Sequence, residues 1–174
     1  TVSKFLPLSL SAQHRSEALF LSAFRSSALR HCQNIRLNED LEKEFGSQNG
    51  KCALNHFLIL SQLIAKEAQR HVDLNCPNIS RITSAEGWLL HTVSGAQRNC
   101  DATLLMGMVG VLDAPPSHYL VKLIRRLAVM FAESDLRLDW TMPSSGPIYL
   151  NHEIEKIASP HSKRGVIACE SLDQ

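Results

Sequence analysis

Apolar positions recur at helical spacing in five blocks along the chain, and the residues between the blocks are turn formers. Residues 1–8 read as an extended arm, because Pro7 stops any early helix. From Ser9 or Ser11, Ala18, Leu19, Ala23, Phe24, Ala28, Cys32 and Ile35 fall near helical spacing through about Arg36. Arg15, Arg25, Arg30 and Arg36 share no single face of that helix and read as solvated charges on an amphipathic element. "NEDLEKEF" is an acidic turn or short helix, and "GSQNGK" is a loop by composition. The second block, about Lys51 to Val72, sets Leu54, Phe57, Leu58, Ser61, Ile64, Ala65 and Ala68 on one stripe, which Leu60 and Leu63 widen. Asn55, Gln62, Lys66 and Gln69 stay opposite. So wide an apolar arc points to burial against more than one neighbour. "DLNCPNIS" then breaks the chain at Pro77.

Thr83 opens the third block as an N-cap, and Glu86 three residues on completes a capping box. Ala85, Trp88, Leu89 and Thr92 or Val93 face inward, and Ser94-Gly95 ends that helix. Asp101 or Asn99 caps the fourth block, in which Ala102, Leu105, Val109 and Leu112 form the expected buried line. Gly107 and Gly110 each cost about 1 kcal/mol relative to Ala in a helix, so their presence points to close backbone packing or an early end. "DAPPS" makes a turn that can begin a helix but not continue one, with Ser117 as its cap. In the fifth block Leu120, Leu123, Ile124 and Leu127 lie together, while His118, Lys122 and Arg125 lie close to one another and nearly opposite. Arg126 sits at the flank. Beyond it, Leu136, Leu138 and Trp140 alternate with Arg137 and Asp139, as in a strand. "TMPSSGP" is a turn, "IYL" a return strand and "NHEIEKIA" a short helix. The tail is loop-like, with room for a short strand at Val166 to Cys169.

The succession of capped helix, short helix, proline turn, basic helix and hairpin resembles the winged helix-turn-helix of the multiple-antibiotic-resistance regulator (MarR) family. "ITSAEGWLLHTV" looks like that family's first winged-domain helix, and "DATLLMGMVGVLDAPPSHYLVKLIRRL" like its second and recognition helices. About 45 residues carry the likeness well and the hairpin loosely. The resemblance implies a dimer, and a recognition helix whose Ser117, His118, Lys122 and Arg125 face a major groove, with Arg126 beside them. Such a reader draws affinity from cations at the phosphates and specificity from donors at base edges. Where the family follows this helix with glycine and a wing strand, the chain has "AVMFAESD", and the wing tip from Pro143 to Gly146 carries no Arg or Lys. The region after the wing is too short for the family's long dimer helix, a role the helix around residues 9–36 would take. The same basic row is also what an ordinary solvated helix face looks like.

Composition narrows the class further. An apolar content of 44% over 174 residues is enough for one domain, or one domain with an arm, to bury a core. Eighteen basic against 17 acidic residues give a formal charge of +1, so any basic patch is local. The run from Leu104 to Leu112 is interrupted by glycines and too short to span a bilayer, and "TVSKFLPLSLSAQ" lacks a signal-peptide core. Cysteines at 32, 52, 76, 100 and 169 are scattered and odd in number, unlike a secreted disulfide framework, so a reducing cytoplasm is expected.

Cys52 and His56, at i and i+4, share a helix face, and His31 or Cys32 would have to join them to hold zinc. No tight Cys-x-x-Cys spacing supports that set, so no metal and no cofactor is expected. A redox switch at Cys32 or Cys52 stays open, because thiol reactivity depends on local surroundings. There is no phosphate-cradling glycine loop, nucleophile elbow or dinucleotide fingerprint, and the eight histidines are dispersed. Trp88, Phe57, Met106, Met108 and Met130 read as core rather than as a cofactor box.

The expectation is a mainly α protein with a winged helix-turn-helix-like domain and a small β-hairpin. Residues 1–79 would form a helical dimerisation region, 80–158 the winged domain and 159–174 a tail. The leading function is a non-enzymatic, dimeric, cytoplasmic regulator binding double-stranded DNA through Ser117, His118, Lys122, Arg125 and Arg126. The alternative is a helical interaction or assembly subunit, in which the same helices pack on a protein partner and DNA is not bound.

Overall fold

In the computed structural model, the elements follow in the order α1 (Ala12–Ala28), α2 (Ile35–Phe45), α3 (Ser47–Glu67), β1 (Val72–Asn75), α4 (Ser84–Gln97), α5 (Asp101–Leu112), α6 (His118–Glu133) and β2 (Ile167–Glu170). The structure describes residues 12–29, 35–77, 81–142 and 167–170. The N-terminal arm, the wing tip, the return strand at 148–150 and the short helix at 151–158 lie outside the described residues. The protein is mainly helical, as its periodicity predicts.

Two helical groups share one core. In the first, α3 packs against α1 and α2; in the second, α4 packs against α5 and α6; contacts of α3 with α6 join them. At that junction Phe20, Phe57 and Phe131 stack edge to face, with ring centroids 5.1, 5.6 and 6.1 Å apart, and Phe45 joins Phe131 at 5.0 Å. One continuous apolar cluster therefore runs from α1 to Leu138, across the position where the sequence pattern suggests a division after residue 79.

The helix boundaries correct several readings. The expected first helix over residues 9–36 ends at Ala28, and Ile35 starts α2, which takes in "NEDLEKEF" as a full helix. "GSQNGK" is not a loop. Gly46, with φ of 79°, supplies the break, and Ser47 to Gly50 form the first turn of α3. That helix stops at Glu67, and the chain continues into β1 rather than staying helical to Val72. β1 pairs in parallel with β2, Val72 opposite Ile167 and Asn75 opposite Glu170, one residue from the strand expected at Val166 to Cys169.

The alternating segment after α6 is not part of a β-hairpin among the described residues. Leu136 and Leu138 are buried and Arg137 and Asp139 exposed, as the period-two pattern requires, yet no strand pairs with them. The side chain of Gln97 stands in for a neighbouring strand: its Oε1 accepts from the Leu138 N–H at 2.8 Å and its Nε2 donates to the Leu136 carbonyl at 3.0 Å.

Arg25 departs from the reading of solvated arginines, which holds for Arg15. Arg25 is 3% exposed, and its guanidinium donates to both oxygens of Glu86, which is fully buried, at 2.6 and 2.7 Å. The same guanidinium donates to the Arg81 carbonyl at 2.7 Å. Glu86 also accepts from the backbone N–H groups of Asn75 at 3.0 Å and Thr83 at 2.8 Å. It thus completes the predicted capping box on α4 while anchoring α1 and β1 to that helix. Thr83 Oγ1 adds a bond to the Asp73 carbonyl at 2.8 Å.

The glycines of α5 do mark close backbone packing. A Cβ on Gly107 would fall 2.2 Å from Thr92 Oγ1 and 3.1 Å from Thr92 Cα, and one on Gly110 would fall 2.5 Å from the Trp88 ring. Thr92 cannot swing aside cheaply, since it is fully buried and its hydroxyl donates to the Trp88 carbonyl at 2.8 Å. Gly107→Ala is therefore expected to lower stability by about 1–3 kcal/mol through overpacking, despite a helix-propensity gain of about 1 kcal/mol. Urea denaturation of the variant checks this, and a stabilised variant would show that the two helices can separate freely.

Candidate functional site

α6 is built as its pattern predicts. Ser117 caps it, accepting from the Leu120 N–H at 3.2 Å. Leu120, Leu123, Ile124 and Leu127 are buried, while His118, Lys122, Arg125 and Arg126 are exposed. The phase is unambiguous because charges occupy one side of the helix and large apolar groups the other.

The electrostatics around that basic row are more balanced than the sequence implies. Glu67, at the end of α3, places its carboxylate on the start of α6, accepting from the Ser117 N–H at 2.9 Å and from Ser117 Oγ at 2.6 Å. A helix N-terminus attracts anions, and here a carboxylate already holds the donors that a phosphate would use. Arg125 Nη2 donates to Asp101 Oδ1 at 2.7 Å, tying the middle of α6 to the start of α5. Lys122 and Arg126 complete the exposed cationic face, with His118 beside them, and none of the three has an ion pair among the described residues. α6 packs on α4 and α3, and its direct backbone contacts with α5 are few.

α5 departs most from its pattern. The expected buried line was Ala102, Leu105, Val109 and Leu112, but the structure buries Leu104, Gly107, Met108, Val111 and Leu112. Ala102 is exposed, and Leu105, Met106 and Val109 remain 44, 55 and 45% exposed. The reason is physical: "DATLLMGMVGVL" is apolar almost all round, so periodicity cannot fix its rotation. Close packing of Gly107 and Gly110 on α4 fixes it instead. Met106, read as core, therefore belongs to the surface. At 100° per residue, Ala102, Leu105, Met106 and Val109 span about 100° of arc, forming one uninterrupted apolar face. Asp101, in the first turn of α5 at the edge of that face, pairs with Arg125 of α6.

Depressions indent the described surface, and two of them lie near the elements described above. One, of about 130 Å³, is lined by Asn38, Glu42, Gly50, Lys51 and Leu54. The other, of about 340 Å³, lies between the end of α4 and α6 and is lined by Ala96, Gln97, Asn99, Ala128, Val129, Ala132 and Glu133. Neither brings a nucleophile together with a base.

The cysteines separate into different chemistries. Cys76 is disulfide-bonded, whereas Cys52 and Cys100 are free. His56 lies beside Cys52, but its Nδ1 is 2.6 Å from the Cys52 carbonyl and 3.5 Å from Sγ. A carbonyl only accepts, so Nδ1 carries the proton and cannot take one from the thiol. Among the described residues no group of three His, Cys, Asp or Glu side chains is arranged to hold a metal ion. His31 and Cys32 lie outside the described residues.

Cys100, which sequence reasoning did not single out, stands at the N-cap of α5. Its thiol is held below the usual thiol range, chiefly by the Thr103 hydroxyl 3.0 Å away, then by the Thr103 N–H; burial opposes this, and Arg98 and the Ala102 N–H assist. A lowered pKa keeps the reactive thiolate populated at lower pH. The midpoint of Cys100 alkylation by iodoacetamide against pH, followed by peptide mass spectrometry, is expected below that of a free cysteine. Thr103→Val should move it upward. An unmoved midpoint would contradict that cause.

No family model matches the chain, and the searches of curated proteins and of solved structures gave no match. No helix of the described residues is long and apolar enough to cross a membrane.

Proposed function

We propose that this chain is a non-enzymatic protein-interaction module that docks a partner protein on the outer face of α5. The observation that carries this reading is the exposure of Leu105, Met106 and Val109 on one side of a helix otherwise packed into the fold. Single exposed apolar side chains are ordinary, but contiguous ones on a rigid element mark interaction surfaces. α5 is rigid here, since its opposite side meets α4 at glycine-to-backbone distance.

A second reading, a dimeric winged-helix regulator binding double-stranded DNA, draws support from the exposed row of His118, Lys122, Arg125 and Arg126 on a capped helix after a proline turn. Two contacts weigh against it: Glu67 on the start of α6 and Asp101 on Arg125. Each puts negative charge where phosphates would lie.

Affinity capture from the cells that make the protein separates the readings. The interaction module predicts a protein retained by the wild type and lost with Leu105→Asp plus Val109→Asp, a variant that circular dichroism should show folded. Retention of the same proteins by both forms contradicts it. Duplex DNA binding at low salt, weakened together with its salt dependence by Lys122→Ala plus Arg125→Ala, would favour the regulator instead.

A further inference from the structure

We draw no further inference here: the strongest candidate, the side-chain cluster of Trp88, His91 and Ser94 on α4, whose buried polar atoms find no hydrogen-bond partner among the described residues, carries nothing, because neither the α2–α3 depression nor the α4–α6 depression reaches it and nothing in the structure shows what would meet those atoms.

Discussion

Glu86→Ala or Arg25→Ala is expected to destabilise the protein by about 3–5 kcal/mol, because each leaves its former partner as a buried charge without its counterpart. A domain of this size has about 5–15 kcal/mol of stability in total, so either variant sits close to unfolding. The loss exceeds that of an ordinary ion pair because Glu86 serves three elements at once. Besides the Arg25 guanidinium it accepts the N–H groups of Asn75 and Thr83, so its removal also loosens β1 and the first turn of α4. Equilibrium urea denaturation of both single variants and of the double variant measures the coupling. The double variant should lose less than the sum of the singles, since no charge is then left unpaired. Single variants within about 0.5 kcal/mol of wild type would show that the pair is not a structural anchor.

Phe131→Ala carries the second large effect, expected at about 3–5 kcal/mol. Phe131 is fully buried and touches the rings of Phe20, Phe45 and Phe57, which belong to α1, α2 and α3. Its removal therefore opens a cavity at the seam between the two helical groups rather than inside one of them. Phe131→Leu, which keeps most of the volume, should lose clearly less. Thermal denaturation of the two variants gives the comparison, and equal losses would mean that the seam collapses around the smaller side chain.

What the sequence makes legible follows from where its polar residues stand. α6 could be read in full, down to the Ser117 cap and the buried row, because Lys122, Arg125 and Arg126 fix the helix's rotation. The capping box of α4 was equally plain, since Thr83 and Glu86 are three residues apart and their geometry is local. The rotation of α5 was not legible, because a helix apolar all round takes its phase from a neighbour, here the glycine contacts with α4. That misreading hid the candidate site, since Leu105 and Val109 were placed in the core. Glycines at 107 and 110 were the available signal: the face that must approach a backbone is the small one, so the larger side chains opposite are pushed outward. Arg25 and Glu86 are 61 residues apart, and no local pattern links them. β1 was masked because "VDLN" follows directly on a helix and pairs with a strand far along the chain.

The most direct measurement of the docking claim is site-specific photo-crosslinking. A photoreactive benzoylphenylalanine at position 106, on the exposed apolar face of α5, is compared with one at position 43, exposed on α2. In cells that make the protein, the account predicts a discrete adduct with another protein from position 106 and none from position 43. It predicts loss of that adduct when Leu105→Asp and Val109→Asp are added. An adduct from position 43 but none from position 106, or crosslinking of position 106 to DNA alone, would contradict it.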